Sequence, residues 1–311
     1  MRYKKLERAG VKISSLAAGS WAIGGEGWGD VNTEDSIAAI HRMFDLGVNV
    51  IDTAPAYGSG HSEEIVGQAL KGYRDQVYVS TKFGLDPKFD WAENGKYDFV
   101  MQECENSLRR LNIDYIDFYF MHWPDPKTPV SETMRALEVL KQQGKIRYAG
   151  VSNFTKEQIM EAEKYGKIDV IQPPYSMVNR SAEELMKWAK NQGMDAFTYG
   201  SLGAGILTGA IRTLPEFDEN DYRKEFYDFY SEPKFSKVME LLKTLDAIAL
   251  EHGGTPAQAA VNWSTQKAYV GTALCGVRKP LEAEENCAAF DWQLTEGEMQ
   301  KIDDELLRLE I

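Results

Sequence analysis

Apolar positions along this chain follow two periods, and the periods alternate. Short, nearly unbroken apolar runs read as buried strands: "SLAAG" at 15–19, "VNVID" at 48–52, "VYVSTK" at 77–82, "YIDFYFMH" at 115–122, "IRYAGVS" at 146–152, "DVIQ" at 169–172, "DAFTYG" at 195–200 and "VGTALC" at 270–275. Between them, apolar residues recur at helical spacing near 33–46, 62–71, 98–111, 131–143, 155–164, 181–191 and 237–265, with a last helix near 281–288. In the third of these, Val100, Cys104, Leu108 and Leu111 are spaced four, four and three apart and share one face. Polar residues mark helix starts: Thr33 with Asp35, Ser131, and Thr155, whose Gln158 stands where a capping-box partner would. "HGGTP" at 252–256 divides the long penultimate stretch into two helices, and "YKKLERAGVKIS" predicts a hairpin ahead of the first strand, with Ala-Gly at its turn.

Eight strand–helix units favour a parallel sheet, and eight favour its closure into a barrel over an open, doubly wound sheet. An open dinucleotide-binding sheet would carry GxGxxG after its first strand. Here "GSWAIGGEGWG" has the wrong spacing and no immediate helix. The expected fold is therefore α/β, a (β/α)₈ barrel forming one domain over residues 1–311, with an N-terminal β-hairpin and long loops after strands three (83–97) and seven (201–236). Loops of that length in a compact domain tend to be functional, and the second reads as a flap rich in aromatic and charged residues.

Composition removes several function classes. The net charge of −13, with no long basic run, lacks the electrostatic footprint of a nucleic-acid or anionic-membrane binder. No apolar stretch reaches the about 18 residues needed to span a bilayer. "MRYKKLERAG" is not a signal peptide, and Cys104, Cys275 and Cys287 form no CxxC pair. A soluble cytoplasmic protein is expected. No pair among His41, His61 and His252 has metal-ligand spacing with a third ligand, so no metal is expected.

In such a barrel the reacting groups come from the C-terminal ends of several strands. Polar residues at those ends are Asp52 after strand two, Tyr57 in the loop behind it, Lys82 after strand three and His122 after strand four. An ammonium beside a phenol stabilises the phenolate, and a carboxylate can keep a buried ammonium charged. An imidazole can donate to a carbonyl oxygen as negative charge builds there. Together these groups suit protonation of an oxyanion formed from a carbonyl by something other than a protein nucleophile, and hydride from a nicotinamide is the obvious candidate.

With these residues on hand, the sequence resembles the aldo-keto reductases, through "GVNVIDTAPAYGSGHSEEIVG", "STKFG", "FYFMHWPD", "GVSNF", "VIQPPYSMVNR", "YGSLGAGILTG" and "GVRKPLEAEEN", over roughly residues 3 to 308. The resemblance implies a barrel that binds NADP(H), less often NAD(H), across its mouth. It puts the catalytic tetrad on Asp52, Tyr57 as general acid, Lys82 and His122. It places Ser20, Trp21 and Asp52 near the cofactor and sets Ser152, Asn153 and Gln172 on the nicotinamide carboxamide. Tyr199 would stack on the ring. Gly200, Ser201, Leu202, Gly203, Gly205 and Leu207 would cradle the pyrophosphate. Gly276, Val277, Arg278, Lys279, Glu282, Glu285 and Asn286 would hold the adenosine end. Trp21, Trp28, Tyr57, His122 and Trp123 would line the substrate pocket.

Two positions depart from the family pattern. Gly200-Ser201 stands where Ser-Pro is common, and Glu282 where the family often has Gln or Arg beside the adenosine 2′-phosphate. Arg278 and Lys279 favour NADP(H), Glu282 favours NAD(H), and the sequence leaves the two open. The implied activity is reduction of an aldehyde, ketone or sugar carbonyl, or the reverse oxidation, on a small-molecule substrate by a monomer or homo-oligomer. The alternative is a nucleotide-binding sensor with little turnover, like the potassium-channel β-subunits that share this architecture.

Overall fold

The computed structural model describes residues 1–25, 31–217, 223 and 227–311. Eight parallel strands close into a barrel: β3 (Leu16–Gly19), β4 (Val50–Asp52), β5 (Tyr78–Phe83), β8 (Ile116–Met121), β9 (Ile146–Ser152), β10 (Val170–Gln172), β11 (Asp195–Thr198) and β12 (Val270–Gly276), with β12 pairing back onto β3. Each barrel strand lies inside a run read from the sequence or overlaps it to within a residue. The antiparallel hairpin β1 (Tyr3–Lys5) and β2 (Lys12–Ser14) precedes them, its turn carrying left-handed Gly10. Leu6 and Ile13 from this hairpin pack with Ala17, Val50, Phe118, Phe120, Val170 and Phe197. The hairpin thereby plugs one end of the barrel, and the C-terminal ends of the strands open at the other.

Helices clothe the outside: α1 (Thr33–Asp45), α2 (His61–Ala69), α3 (Tyr97–Leu111), α4 (Val130–Gln142), α5 (Lys156–Ala162), α6 (Glu183–Asn191), α7 (Lys234–Glu251), α8 (Pro256–Gln266), α9 (Pro280–Ala288) and α10 (Glu296–Leu309). The face predicted for α3 is the buried one: Val100, Cys104, Leu108 and Leu111 all lie in the core. Thr155 and Gln158 form the expected capping box.

Three local expectations are corrected. Asn32, not Thr33, caps α1: it is extended, and its side chain accepts the Asp35 N–H. Ser131 caps nothing, because α4 begins at Val130 behind Pro129. The helix α10 was not anticipated, since strand–helix alternation ends with α9. It starts at a Thr295–Glu298 capping box and buries Ile302, Leu306 and Leu309. The loop after β5 also holds an unforeseen small hairpin, β6 (Leu85–Asp86) with β7 (Ala92–Glu93), organised by buried Asp86, which accepts from Lys88 N–H and Asn94 Nδ2.

Candidate active site

Asp52 ends β4 and Lys82 stands near the end of the adjacent β5, both almost wholly buried. Lys82 Nζ donates to Asp52 Oδ2 at 2.6 Å and to the Thr53 carbonyl at 2.8 Å. Asp52 Oδ1 accepts from Ser80 Oγ at 2.7 Å and Gln172 Nε2 at 2.9 Å. Burial works to strip the Lys82 proton, but Asp52 and the Tyr57 phenol outweigh it and hold the amine above its ordinary range. The lysine is therefore charged.

Tyr57 follows in the turn between β4 and α2. Lys82 Nζ lies 4.9 Å from its ring centre. Burial pushes the phenol up, Lys82 pulls it down and Asp52 pushes it up, with a net upward shift. Lys82 thus acts in the expected direction without overcoming burial. The His122 ring meets Tyr57 edge-on at 6.0 Å, and the Trp21 ring lies 6.1 Å from Tyr57 on another side. Burial first, and Lys82 second, hold the His122 imidazole well below its usual range. It is neutral, with one N–H to donate.

The residues expected at the nicotinamide end converge beside this group. Asn153, in the left-handed region with φ 62°, donates to the His122 carbonyl at 2.9 Å and accepts the Tyr199 hydroxyl at 2.8 Å. Ser152 Oγ donates to the Gln172 carbonyl at 2.8 Å. Ser20 is buried beneath them, its hydroxyl donating to the Asp52 carbonyl at 2.8 Å. Trp21 and Trp123 are exposed at the rim, while Trp28 lies outside the described residues.

The backbone beyond β11 and β12 fits a dinucleotide. Gly203, Ala204 and Gly205 are three consecutive left-handed residues, a concave run of the kind that cups anions. A Cβ on Gly200 or Gly276 would meet nothing within 4 Å, so the chain there admits close approach. Leu207 and Val277 have buried side chains and can offer a ligand only their backbone. Ser201 is buried, with Oγ 3.4 Å from the Thr198 carbonyl, and Leu202 is half-buried. Arg278 is half-buried, Lys279 and Glu285 are exposed, and Asn286 donates to the Gly276 carbonyl at 3.3 Å. Glu282 Oε2 accepts the Arg278 N–H at 2.6 Å, and Oε1 stands 3.9 Å from the Arg278 guanidinium.

Several contributors escaped the sequence reading. Ser80 was legible in principle: it precedes Lys82 by two and so shares its strand face. Tyr230 pins the cradle by donating to the Ala204 carbonyl at 2.9 Å. The phenol of Tyr227 is pushed up by burial and by Tyr57 nearby. Irregular loop spacing gave no sign of either. Part of the flap that carries them, 218–222 and 224–226, lies outside the described residues.

The chain belongs to the aldo/keto reductase family: the family's sequence model matches residues 15–306. The chain is 38% identical over 311 residues to the aldo-keto reductase YhdN of Bacillus subtilis, covering 97% of this chain and 92% of the relative. It is 34% identical to the NADH-specific methylglyoxal reductase of Escherichia coli, covering 93% of each. The structure superposes on a glycerol dehydrogenase from Gluconobacter oxydans with a TM-score of 0.89 at 36% identity, covering 99% of this chain and 95% of that one. The family and these relatives make the chain a nicotinamide-dependent oxidoreductase.

Proposed function

We propose that the protein reduces short polar aldehydes or ketones with NADH, and oxidises the corresponding alcohols, with Tyr57 as general acid and base. One observation carries this reading: Lys82 sits charged between Asp52 and the Tyr57 phenol, with neutral His122 beside the same phenol. Ser152, Asn153, Gln172 and Tyr199 would hold a reduced nicotinamide, which would supply the hydride when bound. His122 donates its N–H to the substrate carbonyl and orients it. Tyr57 delivers a proton to that oxygen as negative charge forms, and Lys82 steadies the phenolate left behind. Asp52 keeps Lys82 protonated and in place. In the oxidative direction Tyr57 takes the alcohol proton. Replacing Tyr57 with Phe is expected to cut turnover by roughly 10²- to 10⁴-fold while leaving cofactor binding intact. An unchanged turnover number would remove Tyr57 from this role.

NADH is preferred in this reading because Glu282 partly neutralises Arg278 and would repel a 2′-phosphate, while its carboxylate can accept from a 2′-hydroxyl. The name of the Escherichia coli relative points the same way, and those of the two relatives with stated substrates point to three-carbon compounds. Titration of tryptophan fluorescence should show NADH binding more tightly than NADPH, and Glu282→Gln should narrow the gap. Tighter NADPH binding by the wild type would hand the selection to Arg278 and Lys279.

A further inference from the structure

Glu63 is fully buried, and the proposed chemistry does not use it. Its Oε1 accepts from the Thr81 hydroxyl at 2.6 Å, and its Oε2 from Arg110 Nε at 2.6 Å. Thr81 immediately precedes Lys82 on β5. Glu63 lies in the first turn of α2, and the chain enters that helix directly from the turn bearing Tyr57. There Ser62 N–H donates to the Tyr57 carbonyl at 3.2 Å and His61 N–H to the Gly58 carbonyl at 3.0 Å.

This entry turn is left-handed at three successive residues, Gly58, Ser59 and Gly60, with φ of 59°, 53° and 95°. Such a conformation costs free energy at a residue with a side chain, and it persists where the surroundings over-determine it. Arg110 supports it from outside: a Cβ on Gly60 would stand 2.7 Å from Arg110 Cδ. Arg110 is in turn held by Glu103 at 2.6 Å. Burial pushes the Glu63 carboxyl up, and Arg110, Thr81 and Ser107 pull it back only in part. Each carboxylate oxygen is committed to a different element, Oε1 to the strand through Thr81 and Oε2 to α3 through Arg110, so the side chain fixes direction as well as filling space.

We propose that Glu63 is a positioning residue for Tyr57, one carboxylate that ties the strand carrying Lys82 to the turn carrying Tyr57, with Thr81 and Arg110 as its two anchors. The inference rests on the reading of Tyr57 as proton donor, but the position of the phenol can be read without turnover. The groups facing Tyr57 are Lys82 from β5, Asp52 from β4, His122 from the end of β8, Tyr199 after β11 and Tyr227 from the flap. Glu63 is not among them. Deleting its charge alone would ease ionisation of the phenol through space, whereas losing the positioning moves the phenol away from Lys82 and makes ionisation harder.

The test is an alkaline titration of phenolate absorbance in the full chain, wild type minus Tyr57→Phe, repeated in the Glu63→Gln and Thr81→Val backgrounds alongside steady-state kinetics. Both substitutions are expected to move the Tyr57 titration to higher pH. Turnover should fall about ten-fold or more in Glu63→Gln and less in Thr81→Val, with cofactor KM little changed. A titration and turnover unmoved in both variants would leave Glu63 a purely structural residue, and a downward shift would make it a through-space charge. Should Glu63→Gln fail to fold, Thr81→Val decides, since it removes only the tie to the strand. Absence of turnover in the wild type would sink the reductase reading and still leave the titration to judge the positioning.

Discussion

Lys82 keeps its charge because Asp52 and Tyr57 outweigh the burial that would remove it, whereas Tyr57 keeps its proton because burial outweighs the pull of Lys82. His122 goes the other way and stays neutral. These directions fix the expected pH dependence. A group whose folded value lies well below its ordinary one has already lost its proton near neutrality, so His122 should contribute no inflection near 6.5, where an unperturbed histidine titrates. A phenol held above its ordinary value loses its proton only in alkali. Carbonyl reduction, which needs the phenol, should therefore stay level through neutral pH and fall in the alkaline range. Alcohol oxidation, which needs the phenolate, should rise there. Profiles of kcat/KM in both directions check this, and an inflection near 6.5 that vanishes in His122→Asn would show that the imidazole titrates after all.

Between elements, close backbone contact also positions the site. The 3₁₀ turn Trp21–Gly24 lies against the Tyr57 turn so tightly that a Cβ on Gly24 would stand 2.7 Å from Gly58 N and Tyr57 C. Gly24→Ala must push one turn off the other. Turnover should fall markedly while thermal stability changes modestly, because the contact is at the rim and not in the barrel. Equal turnover in the two proteins would mean that the Tyr57 turn tolerates the displacement. The buried hydroxyls beneath this contact point to the same coupling: Ser62 Oγ donates to Ser20 Oγ at 2.7 Å and lies 3.0 Å from Thr53 Oγ1.

For the whole molecule, closure of the barrel depends on interior volume. Gly150 on β9 faces inward, where a Cβ would fall inside contact distance of the Phe120 ring and 3.0 Å from Val170 Cγ2. Phe118, Phe120, Phe197 and the hairpin's Leu6 and Ile13 already fill that interior. Gly150→Ala should destabilise the fold by about 1–3 kcal/mol through overpacking, read as a lower denaturant midpoint. An unchanged midpoint would mean that the interior has slack the packing does not show.

The sequence by itself determined the eight strands, their closure and the placing of Asp52, Tyr57, Lys82 and His122 at or just behind the strand ends, because strand and helix periods are local and a strand-end position follows once the fold is known. It did not disclose α10, for the alternation that revealed the other helices stops one element earlier, although the capping box at Thr295 and the spacing of Ile302, Leu306 and Leu309 were there to be read. Only the tertiary structure decided the balance of burial against Lys82 at Tyr57, since desolvation depends on every neighbour at once. It alone brought Glu282 onto Arg278, Tyr230 onto Ala204 and Glu63 onto Thr81, contacts made by residues 4, 26 and 18 positions apart. Of these only the first lies within one helical turn. The others join a flap to a loop and a helix to a strand, and no periodicity in the chain encodes where such pieces meet.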